Sequence, residues 1–200
     1  MHIQNYTEEL IELRRYFHQH PELALQEVET SAYIQKYLKN LGYEVNHVEP
    51  TGIIAELPGL SDREKMVVLR AEMDALPIQE QTDMAYASVN DGCMHACGHD
   101  FIIAAALILA KIVTEEQENF PVRIRFLFEP AEEIGEGDEK DASGWRFREP
   151  ESGCFPDVSL CSRYDTGDGG SSGTGIFYDQ QYADSCSWKI QPLVRGRERD

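Results

Sequence analysis

Apolar positions along the chain follow two periods, and the change from one to the other outlines the elements. Tyr6, Leu10, Leu13 and Phe17 recur at three- and four-residue spacing, the stripe of an amphipathic helix. Asn5 with Glu8 three residues on has the form of a capping box at its start, and Pro21 predicts its end. A second helix is predicted over 29–41, where Ile34, Tyr37, Leu38 and Leu41 share a face and Gly42 follows as the C′ residue. Three strand-like runs come next: Tyr43–Val48, Gly52–Leu57 and Met66–Ala71. The last is apolar enough to predict a strand covered on both faces. His99–Val113 is apolar almost all round and too long for a strand, which predicts a buried helix. Val122–Phe128 alternates in part and closes at Glu129-Pro130, predicting a further strand. Helices alternating with strands predict an α/β fold, a layered sheet with helices.

Composition narrows the classes of partner. The chain has 200 residues, 42% of them hydrophobic, and a formal net charge of −18. A sequence-independent grip on phosphate backbones needs clustered Lys and Arg, so nucleic acid is excluded as a partner, and anionic membranes are disfavoured for the same reason. The longest apolar run, Phe101–Ala110, is about half of what a bilayer span requires. The first residues hold no apolar signal core, and five cysteines without a spaced framework predict a reduced, cytoplasmic setting. Charge and composition also divide the chain. Residues 1–137 carry 10 basic and 24 acidic side chains, net −14, together with all six histidines. Residues 138–200 hold eight Gly and eight Ser but only six Val, Leu and Ile together. Two unlike segments are expected, with the boundary at 137.

Three clusters in the first segment can bear chemistry. Cys93, His95, Cys97 and His99 offer thiolate and imidazole, the usual ligands of transition metals. Cys97 and His99 lie two apart, which brings them to one side in extended chain and not on a helix, so they are expected on the loop entering the buried helix. A helix N-terminus there favours a thiolate. The plainer reading is a buried cysteine and a capping histidine, and Cys93 and His95 need not converge on the same ion. Glu132 and Glu133 follow a strand; adjacent residues in extended chain point apart, so one can ligate a metal while the other faces a bound water. Taken alone, such a pair is a solvated charge. Glu72 and Asp74 end the Met66–Ala71 run at period-two spacing, which sets both carboxylates on one side, or simply toward water.

The stretches 13–23 (Leu-Arg-Arg-Tyr-Phe-His-Gln-His-Pro-Glu-Leu), 69–78 (Leu-Arg-Ala-Glu-Met-Asp-Ala-Leu-Pro-Ile), 94–100 (Met-His-Ala-Cys-Gly-His-Asp) and 130–133 (Pro-Ala-Glu-Glu) occur in one order. With these motifs the chain, from about Leu10 to Gly137, resembles the amidohydrolase branch of the peptidase M20 family. That branch hydrolyses hippurate, N-acyl amino acids, indole-acetyl amino acids and aminobenzoyl-glutamate. The resemblance implies the N-terminal part of an M20-type catalytic domain holding two divalent ions, manganese or zinc. It implies Cys97, His99 and Glu133 as metal ligands, Glu132 as the general base, and Asp74 as a catalytic-site carboxylate in a supporting role. The implied substrate is a small N-acyl amino acid, cleaved at its amide bond by a metal-activated water.

Three departures accompany the resemblance. Glu72 stands where the family has Asp, and Ile102 where it usually has His. The resemblance stops at Gly137, whereas family chains are longer and supply two further His ligands and a lid domain that mediates dimerisation. This chain is thus expected to be truncated, to present three of five protein ligands, to turn over little substrate, and to lack the family homodimer. Read one base later from codon 138, the codons for Asp138–Cys161 can encode a family-like continuation with a ligand His in the codons of Ser159 and Leu160. The expectation for 138–200 is therefore an irregular, frameshifted tail. An inactive remnant of the enzyme is the competing reading, and a thiol protein built on Cys93, Cys97 and Cys154 is a weaker one.

Overall fold

The computed structural model describes residues 3–135, so the expectations for 138–200, with Cys154, Ser159 and Leu160, lie outside the described residues. Helix α1 spans Thr7–Gln19 and α2 spans Val28–Asn40; strands β1 (Glu44–Val48), β2 (Gly52–Glu56) and β3 (Met66–Glu72) follow, then α3 (His99–Glu115) and β4 (Arg123–Glu129). Each expected helix and strand is present within a few residues of its predicted bounds. The capping box is not: Ile3–Tyr6 forms a 3-10 turn running into α1, and Tyr6 precedes the helix without a side-chain cap. With a turn already leading into the helix, Asn5 has no free N-terminus to cap. The end of α2 follows the sequence pattern. Gly42 takes φ +87°, and the N–H groups of Gly42 and Tyr43 donate to Lys39 and Leu38 carbonyls, closing a Schellman motif.

The sheet runs β1-β2-β4-β3. β1 and β2 form an antiparallel hairpin, β2 pairs antiparallel with β4, and β3 runs parallel to β4 with Glu72 opposite Glu129. The parallel pair needs a crossover, and α3 supplies it. Side chains of all three helices pack with Ile53, Ala55, Ala71, Phe126 and Phe128 in one core. Each fully buried Phe, Leu or Ile there contributes roughly 1.5–3 kcal/mol. The other face departs from the expectation for β3. Among the described residues it carries only Val68 and Leu127, with Val48 and Ile54 partly buried beside them, and β3 ends the sheet. No helix among the described residues is long and apolar enough to cross a membrane.

Candidate functional site

Three arms of chain meet where β3 and β4 end. Pairing Glu72 with Glu129 brings the segments after both strands to the same end of the sheet, the end at which open α/β sheets build their sites. The first arm leaves β3 through Met73 to Asp74, which is fully buried. The second is Cys97-Gly98-His99. Gly98 takes φ +98°, a left-handed conformation that a side chain would strain, and α3 starts immediately after it. The third is Ala131-Glu132-Glu133. Ala131 has φ +60°, uncommon for a residue with a Cβ, and its N–H donates to the buried Glu27 carboxylate at 2.9 Å.

Asp74 joins the arms. Its backbone carbonyl accepts from His99 Nδ1 at 2.8 Å, and its Oδ2 accepts from the Glu133 N–H at 2.9 Å. In the neutral imidazole a donating Nδ1 leaves the lone pair on Nε2, which stands 3.8 Å from Glu132 and 3.9 Å from Glu133. The Cys97 thiol, a His99 ring nitrogen and a Glu133 oxygen lie within 4.8 Å of one another. Three carboxylate oxygens at this end, Glu72 Oε2, Asp74 Oδ1 and Glu133 Oε1, are buried and accept no hydrogen bond. Burying such oxygens without a partner is costly, and convergent ones beside a thiol and an imidazole are what a divalent cation satisfies. The donor set fits one: a soft thiolate and an imidazole with hard oxygens at the margin.

Charge shapes the protonation of the site. Burial disfavours charge on Asp74, but the His99 imidazole 3.6 Å from Oδ1 and the Glu133 N–H on Oδ2 outweigh it and hold the carboxyl below its ordinary range. Burial likewise lowers His99, yet the Asp74 carboxylate beside it, the hydrogen bond to the Asp74 carbonyl and the charge of Glu72 push it up to about 9. Glu132 is raised, first by burial, then by Glu133 and Glu72, with His99 and Arg70 pulling the other way. A carboxylate raised in this way is a better proton acceptor near neutrality.

The remaining sequence candidates separate. Cys93 is buried, and burial raises its thiol; His95 is buried with no partner on either ring nitrogen, and burial lowers it to about 4. Neither belongs to the three-donor cluster, whereas Cys97 lies exposed at its edge. Glu22 receives the Glu29 and Thr30 N–H groups at the start of α2. His18 spans Asp100 at 2.7 Å and Glu80 at 3.2 Å, fixing α1 and the 77–94 loop to the first turn of α3. Sequence reasoning missed Glu27, whose oxygens receive the Thr51 hydroxyl and the Ala131 N–H. No motif marks it, since a lone Glu before a helix reads as solvated charge.

An α/β sheet with a thiol, an imidazole and carboxylates converging at the strand ends is an arrangement that suits a divalent metal ion. Residues 68–164 match the family model described as Peptidase family M20/M25/M40. An N-acetyl-L-cysteine deacetylase of Bacillus subtilis is 47% identical over 130 residues, covering 64% of this chain and 31% of the relative. A second deacetylase of that organism, acting on N-acetylcysteine by its name, is 45% identical over 133 residues, 66% of this chain and 35% of its own. Among solved structures, a dinuclear metal-binding M20 peptidase of Bacillus subtilis superposes with TM-score 0.65 at 42% identity, covering 70% of this chain and 39% of that one. A putative aminohydrolase of methicillin-resistant Staphylococcus aureus gives 0.63 at 41%, covering 67% and 36%. Over its front part this chain is similar to members of the peptidase M20 family. The chain spans about a third of the length of the curated relatives it matches.

Proposed function

We propose that this chain carries the front part of a metal-dependent amidohydrolase site for N-acyl amino acids, with N-acetylcysteine the first substrate to test. Cys97 Sγ, His99 Nε2 and Glu133 would hold the ion, zinc or manganese, with Glu132 as the proton acceptor. The observation that carries this reading is the convergence of Cys97, His99 and Glu133, with Glu132 beside the same imidazole.

When bound, a divalent cation acidifies a water and polarises the scissile carbonyl. Glu132 accepts the water proton at its carboxylate and returns it to the leaving amine nitrogen. Glu133, its N–H tied to Asp74, is the member of the pair whose carboxylate would hold the ion. Asp74 acts as a positioning residue, since through its carbonyl it fixes which nitrogen of His99 is available. We place the protein in the cytoplasm, where cysteines stay reduced.

In this chain every histidine precedes residue 100, and the described residues assemble three donors. Metal binding with little turnover is therefore the expected behaviour. Purified chain is assayed for release of free cysteine from N-acetylcysteine with zinc or manganese present, beside Glu132→Gln. Robust turnover abolished by Glu132→Gln would establish the amidohydrolase and overturn the expectation of impairment. Metal bound without turnover supports the competing account, an inactive remnant that keeps its ion. Absence of any bound ion sinks the metal site itself.

A further inference from the structure

Away from the strand ends, α1 and α2 enclose a cleft of about 320 Å³. Glu9, Glu12, Leu13 and Tyr16 line it from α1, and Tyr33 and Tyr37 from α2. Lys111, which reaches Glu9, lies more than three turns of α3 beyond His99, roughly 18 Å along the helix, so the cleft is separate from the metal-ligand cluster. Its walls are aromatic: Tyr16 stacks on Tyr33 with centroids 4.4 Å apart, and the His20 ring lies 4.6 Å from Tyr16. Glu9 is already satisfied, accepting from the Tyr37 hydroxyl at 2.8 Å and from Lys111 at 2.6 Å. Glu12 is exposed and, among the described residues, has neither an ion pair nor a side-chain hydrogen bond. Burial first, and then Tyr16, Glu9 and Glu12, push the Tyr33 phenol up, so its ring stays neutral and keeps a negative π-face.

We propose that this cleft binds the guanidinium of an arginine side chain carried by a partner peptide, with Glu12 as its anion and Tyr33 and Tyr37 as its aromatic wall. With Lys111 engaged by Glu9, the cleft keeps one uncompensated carboxylate, which repels anions and attracts a cation. A guanidinium is flat and weakly hydrated, pairs with a carboxylate through two N–H groups and lies over aromatic rings, whereas the compact ammonium of lysine holds its water more strongly. The volume is at the small end for a ligand pocket, enough for one long side chain. The cleft opens to solvent between the two helices, so the backbone that carries the side chain stays outside. A net charge of −18 attracts any basic segment, so the test has to separate the cleft from the general field.

The full chain, stripped of metal with chelator, is titrated at low salt into a dansyl-labelled pentapeptide, one arginine between two pairs of glycines, and binding is read by fluorescence anisotropy. Lysine at the central position keeps the charge without the planar group, and citrulline keeps the planar group without the charge. The arginine peptide should bind about threefold more tightly than the lysine peptide and about tenfold more tightly than the citrulline one. Glu12→Gln should weaken arginine binding about threefold. Tyr33→Leu, which leaves the Tyr37–Glu9 hydrogen bond in place, should do the same. Glu8→Gln, which removes an exposed carboxylate of the same helix outside the lining, should leave binding within about 1.5-fold of wild type. If Tyr33→Leu loses helicity, the exposed Glu12 decides. Equal losses in Glu8→Gln and Glu12→Gln, or equal affinity for the arginine and lysine peptides, would mean attraction to net charge and overturn the proposal. A citrulline peptide that binds as tightly as the arginine one overturns it too, since recognition would then owe nothing to the cation.

Discussion

The two faces of the sheet are built by the same strands and put to different use. In β4, Ile124, Phe126 and Phe128 pack with residues of the helices, while the alternate Arg125, Leu127 and Glu129 belong to the other face. The helix face is apolar, close-packed and large. The other holds two buried aliphatic residues, then ion pairs from Arg70 to Glu72 and Glu129 and from Arg125 to Glu56. An ion pair that takes buried carboxylates out of water gains little beyond its desolvation cost, and the partly exposed Arg125–Glu56 pair adds little, so among the described residues the first face holds the fold. The second leads into the site, where buried carboxylates cost stability that an ion can restore. Stability and chemistry are thus separated within single strands.

The largest expected effect tests that division directly. Phe126→Ala removes a fully buried ring from the helix side and should cost about 3–5 kcal/mol in urea unfolding. Leu127→Ala, one residue away, should cost no more than half as much, since few apolar partners surround it. Equal losses would break the comparison and show that the second face is as well packed as the first.

Next in size is the pH dependence of the ion-free chain, in which two histidines pull in opposite directions. His95 is lowered to about 4, so the native state binds fewer protons than the unfolded chain between there and 6.5. Its contribution is present above 6.5 and lost as pH falls through 4, on the order of 3 kcal/mol. His99 is raised to about 9, so its contribution is present below 6.5 and lost as pH rises through 9. Stability without metal should peak near 6.5. Zinc replaces the proton on His99, so adding it should flatten the alkaline limb and leave the acid limb in place. His95→Gln should flatten the acid limb alone. If zinc alters both limbs equally, the two histidines do not belong to separate environments.

How much of this was legible in the sequence follows the same division. The helix face was readable because apolar period reports burial: the spacing of Leu13 and Phe17, or of Ile34 and Leu38, is enough to mark a face. The cluster of Cys97, His99 and Glu133 was readable as donor types in an order, and the two-residue step from Cys97 to His99 placed it at the start of α3. What escaped were the partnerships across the chain that join Glu27 to Ala131 and His18 to Asp100. Glu27 reaches Ala131 over a separation of 104 residues and His18 reaches Asp100 over 82, and neither leaves a local pattern. The capping box at Asn5 failed for the converse reason. A local pattern was present, but a 3-10 turn already occupied the place where the cap would act.

The smallest expected effect concerns Glu27, which belongs to neither face and links the fold to the site. Its carboxylate is fully buried, and burial raises its affinity for a proton, with hydrogen bonds from Thr51 and Ala131 offsetting part of the shift. Because the native state holds that proton more tightly, its contribution to stability is fullest below about 4.5 and declines as pH rises through the native value. Glu27→Gln removes the buried charge but can accept from only one of the two donors at a time through its single carbonyl oxygen. The two changes oppose each other, and at neutral pH the net loss should be about 1 kcal/mol or less. Affinity for Co2+ should respond more, because the N–H of Ala131 is what holds the turn carrying Glu132 and Glu133. A variant with unchanged melting and several-fold weaker Co2+ binding fits a residue that positions the site. Unchanged Co2+ binding with a large stability loss would instead assign Glu27 to the core, and the separation of stability from chemistry would have to be drawn elsewhere.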